Sequence, residues 1–212
     1  MADEVLGKPL LDHLVYATPD LEATCCDLEI LLGVRASAGG RHPGRGTRNA
    51  LISIGPQAYL EIIGPDPLQP ETKPAWFGID QLSAPKLIAW AVRVSELEKF
   101  VEQISPRTNV GEVRSGSRNT PEGATLWWRL TEPQLAQGTG LLPFLIEWKS
   151  QQHPAGSAII GPPLVQLRIE CPEPELIVTP LKLLGLEVAI EQCLTAALVA
   201  IFEAANGLIE LR

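Results

Sequence analysis

Apolar residues in the first third of the chain form short runs with strand spacing and one segment with helical spacing. The run LLDHLVYA predicts a strand, and the helix that follows has Thr18 or Asp20 as its N-cap and Gly33 at its end. The apolar positions of that helix repeat at helical intervals: Leu21, Leu28, Leu31 and Leu32. The apolar runs NALISIG and AYLEIIG, separated by Pro56 and Gln57, predict paired strands.

The same order of elements recurs twice. KLIAWAVRVSELEKFVEQI predicts a strand and a helix, with Ser95 and Glu98 forming a capping box, and the strands EVRSGSR, ATLWWRL and LLPFLIEW follow. A third pass runs from PPLVQLRIE through ELIVTPLKLLG to EVAIEQ, AALVAIFEAA and GLIELR. Such repetition indicates one unit used three times, at residues 10–66, 86–150 and 162–212. The Pro-rich segments 64–85 and 150–163 are the predicted linkers.

Strand alternation predicts which side chains share a face of each sheet. His13 points the same way as Val15, and Glu61 points the same way as Tyr59. A βαβββ module covers one face of a curved sheet with its helix and leaves the other face free. We therefore expect an α+β fold in which repeated modules form one compact protein, with an open cup of mixed sheet and helices on the outer face. If His13 and Glu61 both face the cup, they lie where small-molecule chemistry would occur.

Composition limits the classes of function. The chain has 212 residues, 45% of them hydrophobic and 20% charged, with a net charge of −8 and a pI near 5.0. This acidity argues against nucleic acid or anionic membrane as a partner. No secretory signal and no apolar run of roughly 20 residues is apparent. The cysteines lack metal-type spacing and are interpreted as reduced thiols of a cytoplasmic protein: Cys25, Cys26, Cys171 and Cys193.

The stretch GGRHPGRGTRNA at residues 39–50 concentrates glycine and arginine. It is neither a P-loop nor a dinucleotide fingerprint, so no nucleotide cofactor is expected. Its glycines and proline are predicted to shape the path from helix to strand. Arg41 and Arg45 are interpreted as loop charges, and His42 as a lone histidine without an assigned role.

Five motifs resemble the glyoxalase-like domain family of the vicinal oxygen chelate (glyoxalase/bleomycin resistance/dioxygenase) superfamily. They are DHLVYATPDLE, GGRHPGRGTRNAL, YLEIIGPDP, LPFLIEW and HPA at residues 153–155. The resemblance covers residues 10 to about 155 and extends more loosely over the third unit. It implies paired βαβββ modules around a cup, often with a divalent metal ion held by histidine and glutamate from the first and last strands.

Carried over by position, the resemblance implies His13, Glu61 and Glu147 as catalytic residues and as ligands of a divalent metal ion of unspecified identity. The first-strand position of the second unit falls near Ala89, which cannot bind a metal. The equivalents in the third unit are about Gln166 and Glu210. A plainer interpretation of each glutamate is a cross-strand pair with arginine, because burying it unpaired costs on the order of several kcal/mol.

The chain departs from the family at Arg48, where the resembling motif GTHNAL has histidine. A cation that enters the cup there would repel a metal ion and attract an anion. The predicted substrate contacts are Arg48, Asn49, Arg118, Arg129 and Trp127. Alternation sends Trp127 and Trp128 to opposite faces, so only one can line the cup. The alternative interpretation of the arginines is solvated charge or a salt bridge to a neighbouring glutamate.

These features predict a small-molecule enzyme: a metal-assisted lyase, isomerase or dioxygenase acting on a small anionic organic substrate. The alternative is a metal-free protein of the same fold that binds and sequesters an anionic or aromatic ligand. The sequence leaves two questions open: whether the protein forms a homodimer, and which two of the three units pair.

Overall fold

A computed structural model describes residues 7–120, 123–135 and 140–212. The first elements are β1 (Leu10–Ala17), α1 (Leu21–Leu32), β2 (Ser37–His42), β3 (Thr47–Gly55) and β4 (Ala58–Pro65). After a 3-10 helix at Trp76–Gln81 come β5 (Lys86–Arg93), α2 (Leu97–Ile104), β6 (Val113–Asn119), β7 (Thr125–Thr131) and β8 (Phe144–Trp148). After a 3-10 turn at Pro154–Gly156 come β9 (Ile159–Ile160), β10 (Leu164–Cys171), α3 (Glu175–Leu183), β11 (Ala189–Gln192), β12 (Ala197–Ala204) and β13 (Gly207–Leu211).

The first two passes build one curved, barrel-like sheet in an α+β fold. β1 lies parallel to β4 and antiparallel to β5, so the two passes meet along β1 and β5. From this centre the sheet continues through β3 to β2 on one side and through β8 and β7 to β6 on the other. A single residue pair, Arg41 with Asn119, joins β2 to β6 and completes the ring. This pairing corrects the open cup expected from the sequence.

Two glycines of β2 let neighbouring strands approach closely. A Cβ at Gly40 would overlap the Asn119 carbonyl oxygen of β6, across the seam between β2 and β6, and a Cβ at Gly39 would overlap Asn49 Oδ1 of β3. The guanidinium of Arg118 crosses the seam and donates to the Gly39 carbonyl oxygen. The close approach of β2 to β6 therefore depends on the missing side chain at Gly40.

Alternation along the strands separates an inner core from an outer one. Val15 and Ile63 belong to a buried apolar cluster inside the barrel, and His13 and Glu61 line its interior cavity. Leu14 and Leu60 belong instead to the outer core, together with the buried faces of α1 and α2. The predicted facing of His13 and Glu61 is therefore confirmed, and the helices lie outside the barrel.

The ends of the first two helices differ in how well the sequence predicts them. Asp20 caps α1 by accepting a hydrogen bond from the Ala23 backbone N–H at 3.1 Å, and Gly33 ends it with a φ of 76°. The predicted cap of α2 at Ser95 is wrong, because the helix begins one residue later and its N-cap, Glu96, makes no side-chain capping bond.

Residues 164–211 form a second, four-stranded sheet outside the barrel. Its strand order is β11-β10-β12-β13, so the last strand does not pair with the first as β4 pairs with β1. Glu210 lies within 3.5 Å of Arg168 and 2.7 Å of Arg212, and the Arg212 hydrogen bond lowers the pKa of the neighbouring Glu170. Glu210 and Gln166 therefore belong to this sheet and not to the barrel interior. Within the described residues, no helix has both the length and the apolar character to cross a bilayer.

The close contact between β2 and β6 at Gly40 predicts how a substitution there changes the stability of the protein. We expect Gly40→Ala to lower the free energy of unfolding by about 1 to 3 kcal/mol, because the new methyl group meets a backbone carbonyl that cannot move without parting the strands. Urea unfolding measures this change. Gly156→Ala is the matched control, since a Cβ there meets nothing within 4 Å. Equal stability of the two variants would show that the seam is not closed.

Candidate active site

A β-bulge in β1 places two buried polar residues side by side. Leu11 pairs with Val92 and His13 pairs with Ala91, which are neighbours on β5, so Asp12 is an extra residue in β1. Asp12 is fully buried and His13 is 3% exposed. Asp12 Oδ1 lies 2.7 Å from His13 Nδ1, so this ring nitrogen is held and the other, Nε2, faces the interior.

The second oxygen of Asp12 joins two distant parts of the chain. Its Oδ2 accepts a hydrogen bond from Trp148 Nε1 at 3.1 Å and lies 2.9 Å from His153 Nε2. The Arg93 guanidinium stands 3.8 Å away. Burial alone would raise the pKa of Asp12, but the hydrogen bonds with His13 and His153 outweigh it and hold the pKa below its ordinary value. Asp12 is therefore a carboxylate that orients two histidines.

Glu61 of β4 stands across the interior from His13. Its Oε2 is 3.7 Å from His13 Nε2, and its Oε1 accepts a hydrogen bond from Asn49 Nδ2 at 2.5 Å. The His13 ring stacks on Tyr59 with centroids 4.7 Å apart. Burial raises the pKa of the Tyr59 hydroxyl well above its ordinary value, and the nearby Asp12 and Glu61 raise it further. Tyr59 therefore stays neutral beside the two carboxylates.

His42 of β2 completes the polar network. Its Nδ1 lies 2.9 Å from Thr47 Oγ1, and its Nε2 is 3.5 Å from Asn49 Nδ2 and 3.9 Å from Glu61 Oε1. Burial lowers the pKa of His42 to about 4, although Glu61 opposes this shift. A neutral ring fits these contacts: Nδ1–H donates to Thr47, and Nε2 accepts from the Asn49 amide group.

One buried cation faces this network. Arg118 of β6 is 4% exposed and lines the interior cavity together with Glu61 and both inward histidines. Its charge opposes the effect of Glu61 on the pKa of His42 and of Tyr59. The interior therefore combines acid–base groups with a cation in a space closed to bulk water.

The cavity itself is small and its walls are aromatic. It has a volume of about 20 Å³, close to that of one water molecule. Its aromatic lining consists of Tyr59, Trp76, Phe77, Trp128, Phe144 and Trp148. A depression of about 240 Å³ at the surface shares His42, Trp76 and Trp128 with it, and Arg45 stacks over Trp76 there at 4.7 Å. This depression is the outer mouth of the cavity.

The structure brings together four of the predicted site residues: His13, Glu61, Asn49 and Arg118. Arg48 precedes Asn49 on β3 and so points to the opposite face, where its Nη2 pairs with Glu22 Oε1 of α1 at 2.5 Å. The groove around Arg48 is larger, at about 640 Å³, but its walls contain none of the interior histidines. The expected position of Arg48 inside the cup is therefore corrected.

Three other predicted residues also lie away from the interior. Glu147 alternates to the outer face of β8, where it contacts the backbone N–H of Leu97 at 3.4 Å and Lys149 at 2.7 Å. Arg129 pairs with Glu98 of α2. Trp127 is 56% exposed at the outer mouth, whereas Trp128 is buried and lines the cavity. Strand parity is the physical reason in each case.

Sequence reasoning missed Asp12, His42 and His153. A signal was present, because the chain has three histidines and two of them, His42 and His153, lie within motifs singled out for other reasons. All three histidines belong to the network built on Asp12 and Glu61. The approach of His153 to Asp12 spans 141 positions, so only the fold brings them together.

The metal ligands implied by the resemblance do not assemble. Glu147 lies on the outer face of β8, and the second histidine beside Glu61 is His42, with its Nε2 3.9 Å from Glu61 Oε1. The Asn49 amide nitrogen stands against both Glu61 and His42, and an N–H group cannot bind a cation. Across residues 7–120, 123–135 and 140–212, no group of three or more His, Cys, Asp or Glu is arranged to hold a metal ion. The donor set as folded does not fit a resident divalent ion.

Comparison with known proteins gives a family and a fold. A family model for a glyoxalase-like domain matches residues 11–184. A hypothetical protein from Staphylococcus aureus superimposes with a TM-score of 0.66 at 11% identity, over 95% of this chain and 98% of that one. Methylmalonyl-CoA epimerase from Mycobacterium tuberculosis gives 0.45 at 21% identity, over 70% and 94%. The Streptomyces coelicolor epimerase with 2-nitronate-propionyl-CoA gives 0.46 at 18%, over 68% and 97%. No curated protein matches the chain.

His42 makes the free energy of unfolding depend on pH. Because its pKa is lowered from 6.5 to about 4 in the folded protein, the unfolded chain binds a proton in that range while the folded protein does not. We therefore expect stability to fall by about 2 kcal/mol from about pH 7.5 to about pH 5 through this ring alone. Urea unfolding at the two pH values measures the loss. His42→Gln should lose correspondingly less, and an unchanged pH dependence would contradict a neutral buried His42.

Proposed function

The chain belongs to the glyoxalase-like domain family of the vicinal oxygen chelate superfamily, and we propose that its barrel interior binds a small anionic organic molecule and moves a proton on it. Glu61 and His13 act as the acid–base pair, Asn49 and Asp12 position them, and Arg118 holds the anionic group. In this proposal residues 10–66 and 86–150 act as paired modules around the cavity, and residues 162–212 support them from outside.

The observation that carries the proposal is the convergence of titratable groups in one enclosed space. Asp12, His13, His42, Glu61 and Arg118 are all buried, with at most 5% of each residue exposed. Burying such groups costs free energy that apolar residues would not cost, even when they are paired. Clusters of this kind concentrate at functional sites.

Proton transfer follows from the way the network is held. The Asn49 amide group fixes one oxygen of Glu61 and leaves the other, Oε2, facing His13 Nε2 across 3.7 Å. Both atoms line the same cavity, so a reacting C–H or O–H group held there beside the pair contacts both of them. Asp12 fixes the ring of His13 through Nδ1, so that Nε2 exchanges the proton. The neutral His42 donates nothing at Nε2 and does not compete for the proton on Glu61.

An anionic substrate suits the remaining charges. Arg118 is a planar donor that binds carboxylates in a bidentate manner, and Arg45 provides a second cation at the outer mouth. The aromatic walls exclude water, which strengthens the attraction between the cation and the bound anion. Isomerases and lyases both use such proton transfer. Dioxygenase chemistry needs a redox-active metal, which the interior donor set does not fit.

The alternative is a metal-free binding protein, and the aromatic lining supports it. Six aromatic side chains surround a cavity with one buried cation, an arrangement that would retain an organic anion without acting on it. In that case the charge on Arg118 is required for binding, and the acid–base character of Glu61 is not.

Deuterium exchange tests the enzyme proposal. We expect the protein in D2O to exchange the C–H hydrogen of at least one small carboxylate in which that hydrogen adjoins a carbonyl group, a panel that starts with 2-oxo acids. Proton NMR follows the loss of signal. Glu61→Gln should slow the exchange by about 10² to 10⁴-fold, because it removes the proton acceptor and keeps the shape. His13→Asn should slow it similarly.

Glu147→Gln is the comparison variant, because the structure places that carboxylate on the outer face of β8. We expect no loss of exchange there, and a loss equal to that of Glu61→Gln would contradict our assignment. Metal analysis of protein purified without chelator completes the test: stoichiometric divalent metal would overturn the metal-independent proposal. Tight carboxylate binding without exchange, lost in Arg118→Met, would favour the binding protein.

A further inference from the structure

One residue of the linker between β4 and β5 fills part of the barrel. Phe77 is 3% exposed, and its ring lies between Trp76, with centroids 4.6 Å apart, and Phe144, with centroids 6.1 Å apart. Phe144 in turn makes a T-shaped contact with the His13 ring, with centroids 5.4 Å apart. Phe77 therefore separates the outer aromatic wall from the acid–base pair.

The backbone of Phe77 has an unfavourable conformation. Among the described residues, Phe77 is the only residue other than glycine with a positive φ, at 56°, and Gly78 follows with a φ of 68°. A bulky residue in the left-handed region persists only where its surroundings hold it. Here the packing of the ring in the barrel interior keeps the backbone of Phe77 in this strained conformation. Such strain is common in segments that move for function.

The segment that carries Phe77 packs its apolar side chains into the barrel, but its own hydrogen bonds and ion pair close on the segment itself. The Ala75 N–H donates to the Lys73 carbonyl, the Asp80 N–H donates to the Pro74 carbonyl, and Lys73 Nζ pairs with Asp80 at 2.7 Å. These bonds close within the linker and do not pair it with a strand of the barrel. The segment can therefore withdraw its aromatic residues without breaking a strand pairing of the sheet.

We infer that Phe77 is a built-in plug that occupies the place of a ligand's ring, and that the ligand is an aromatic carboxylate. This inference rests on the proposal that the interior is the ligand site. A planar ring replaces the Phe77 ring between Trp76 and Phe144, and the carboxylate meets Arg118, which lines the same cavity. With the plug in place the cavity holds only about 20 Å³, too little for any organic ligand.

Removing the plug tests the inference. An apolar cavity of roughly 150 Å³ is known to bind benzene, and truncating a phenylalanine in a packed wall opens a comparable space. We expect Phe77→Ala to bind benzoate at least about tenfold more tightly than the native protein, because the competing ring no longer has to leave. Quenching of the cavity tryptophans, Trp76, Trp128 and Trp148, measures binding. Benzyl alcohol should bind Phe77→Ala more weakly than benzoate does.

Three further variants sharpen the test. Phe100→Ala removes a buried ring from the outer core and should leave benzoate binding unchanged. Arg118→Met added to Phe77→Ala should abolish the preference for benzoate over benzyl alcohol. Phe77→Leu keeps an apolar plug without a planar ring and should give an intermediate affinity, which provides a second measurement if Phe77→Ala fails to fold.

Backbone strain at Phe77 has its own measurement. Phe77→Gly and Phe77→Ala both remove the ring, but only glycine accepts a φ of 56° freely. We therefore expect the glycine variant to unfold about 2 to 4 °C above the alanine variant in thermal scans. Equal midpoints would contradict the strained conformation on which the plug depends.

The inference is overturned if folded Phe77→Ala binds benzoate no better than the native protein, or no better than Phe100→Ala does. Equal binding of benzyl alcohol and benzoate to Phe77→Ala would overturn the carboxylate as part of the ligand. These measurements concern binding alone. Failure of the deuterium exchange would therefore leave them standing, and their failure would leave the exchange result standing.

Discussion

The buried carboxylate of Asp12 is the constraint on which the site depends. A fully buried negative charge must be paired, and three donors from separate parts of the chain satisfy it: His13 beside it, Trp148 on β8 and His153 beyond the barrel strands. The bulge in β1 exists to accommodate this residue between Leu11 and His13. Fold and chemistry are coupled here, because the same contacts join the two halves of the barrel and set the ring of His13.

Much of the fold could be predicted from periodicity, because each element depends mainly on its own residues. The strand containing His13, the helix capped by Asp20 and the facing of Glu61 are local consequences of spacing. The closure of the barrel could not be predicted, because it depends on contacts between residues far apart in the chain: the pairing of Arg41 with Asn119 and the hydrogen bond from Arg118 to the Gly39 carbonyl oxygen. The strand order of the outer sheet could not be predicted either. The order of elements along the chain also permits β13 to pair with β10, as β4 pairs with β1, but β13 pairs with β12.

The candidate site was predictable only in part, and strand parity explains the division. A shift of one residue moves a side chain through the sheet, so Asn49 lies inside while Arg48 lies against α1. Glu147 and Arg129 likewise contact the outer layer, although the sequence context of Glu147 resembles that of Glu61. Family resemblance gives a position in a motif. It does not give the residue with which each charged side chain pairs in this chain.

The distribution of histidine has a practical consequence for studying this molecule. The chain contains three histidines, and each one touches Asp12 or Glu61. His13 and His42 are buried in the barrel interior, whereas His153 is partly exposed, so an imidazole-selective reagent such as diethyl pyrocarbonate reaches His153 first. The slower phase of labelling, followed by ultraviolet absorbance, then reports on how often the interior opens to solvent.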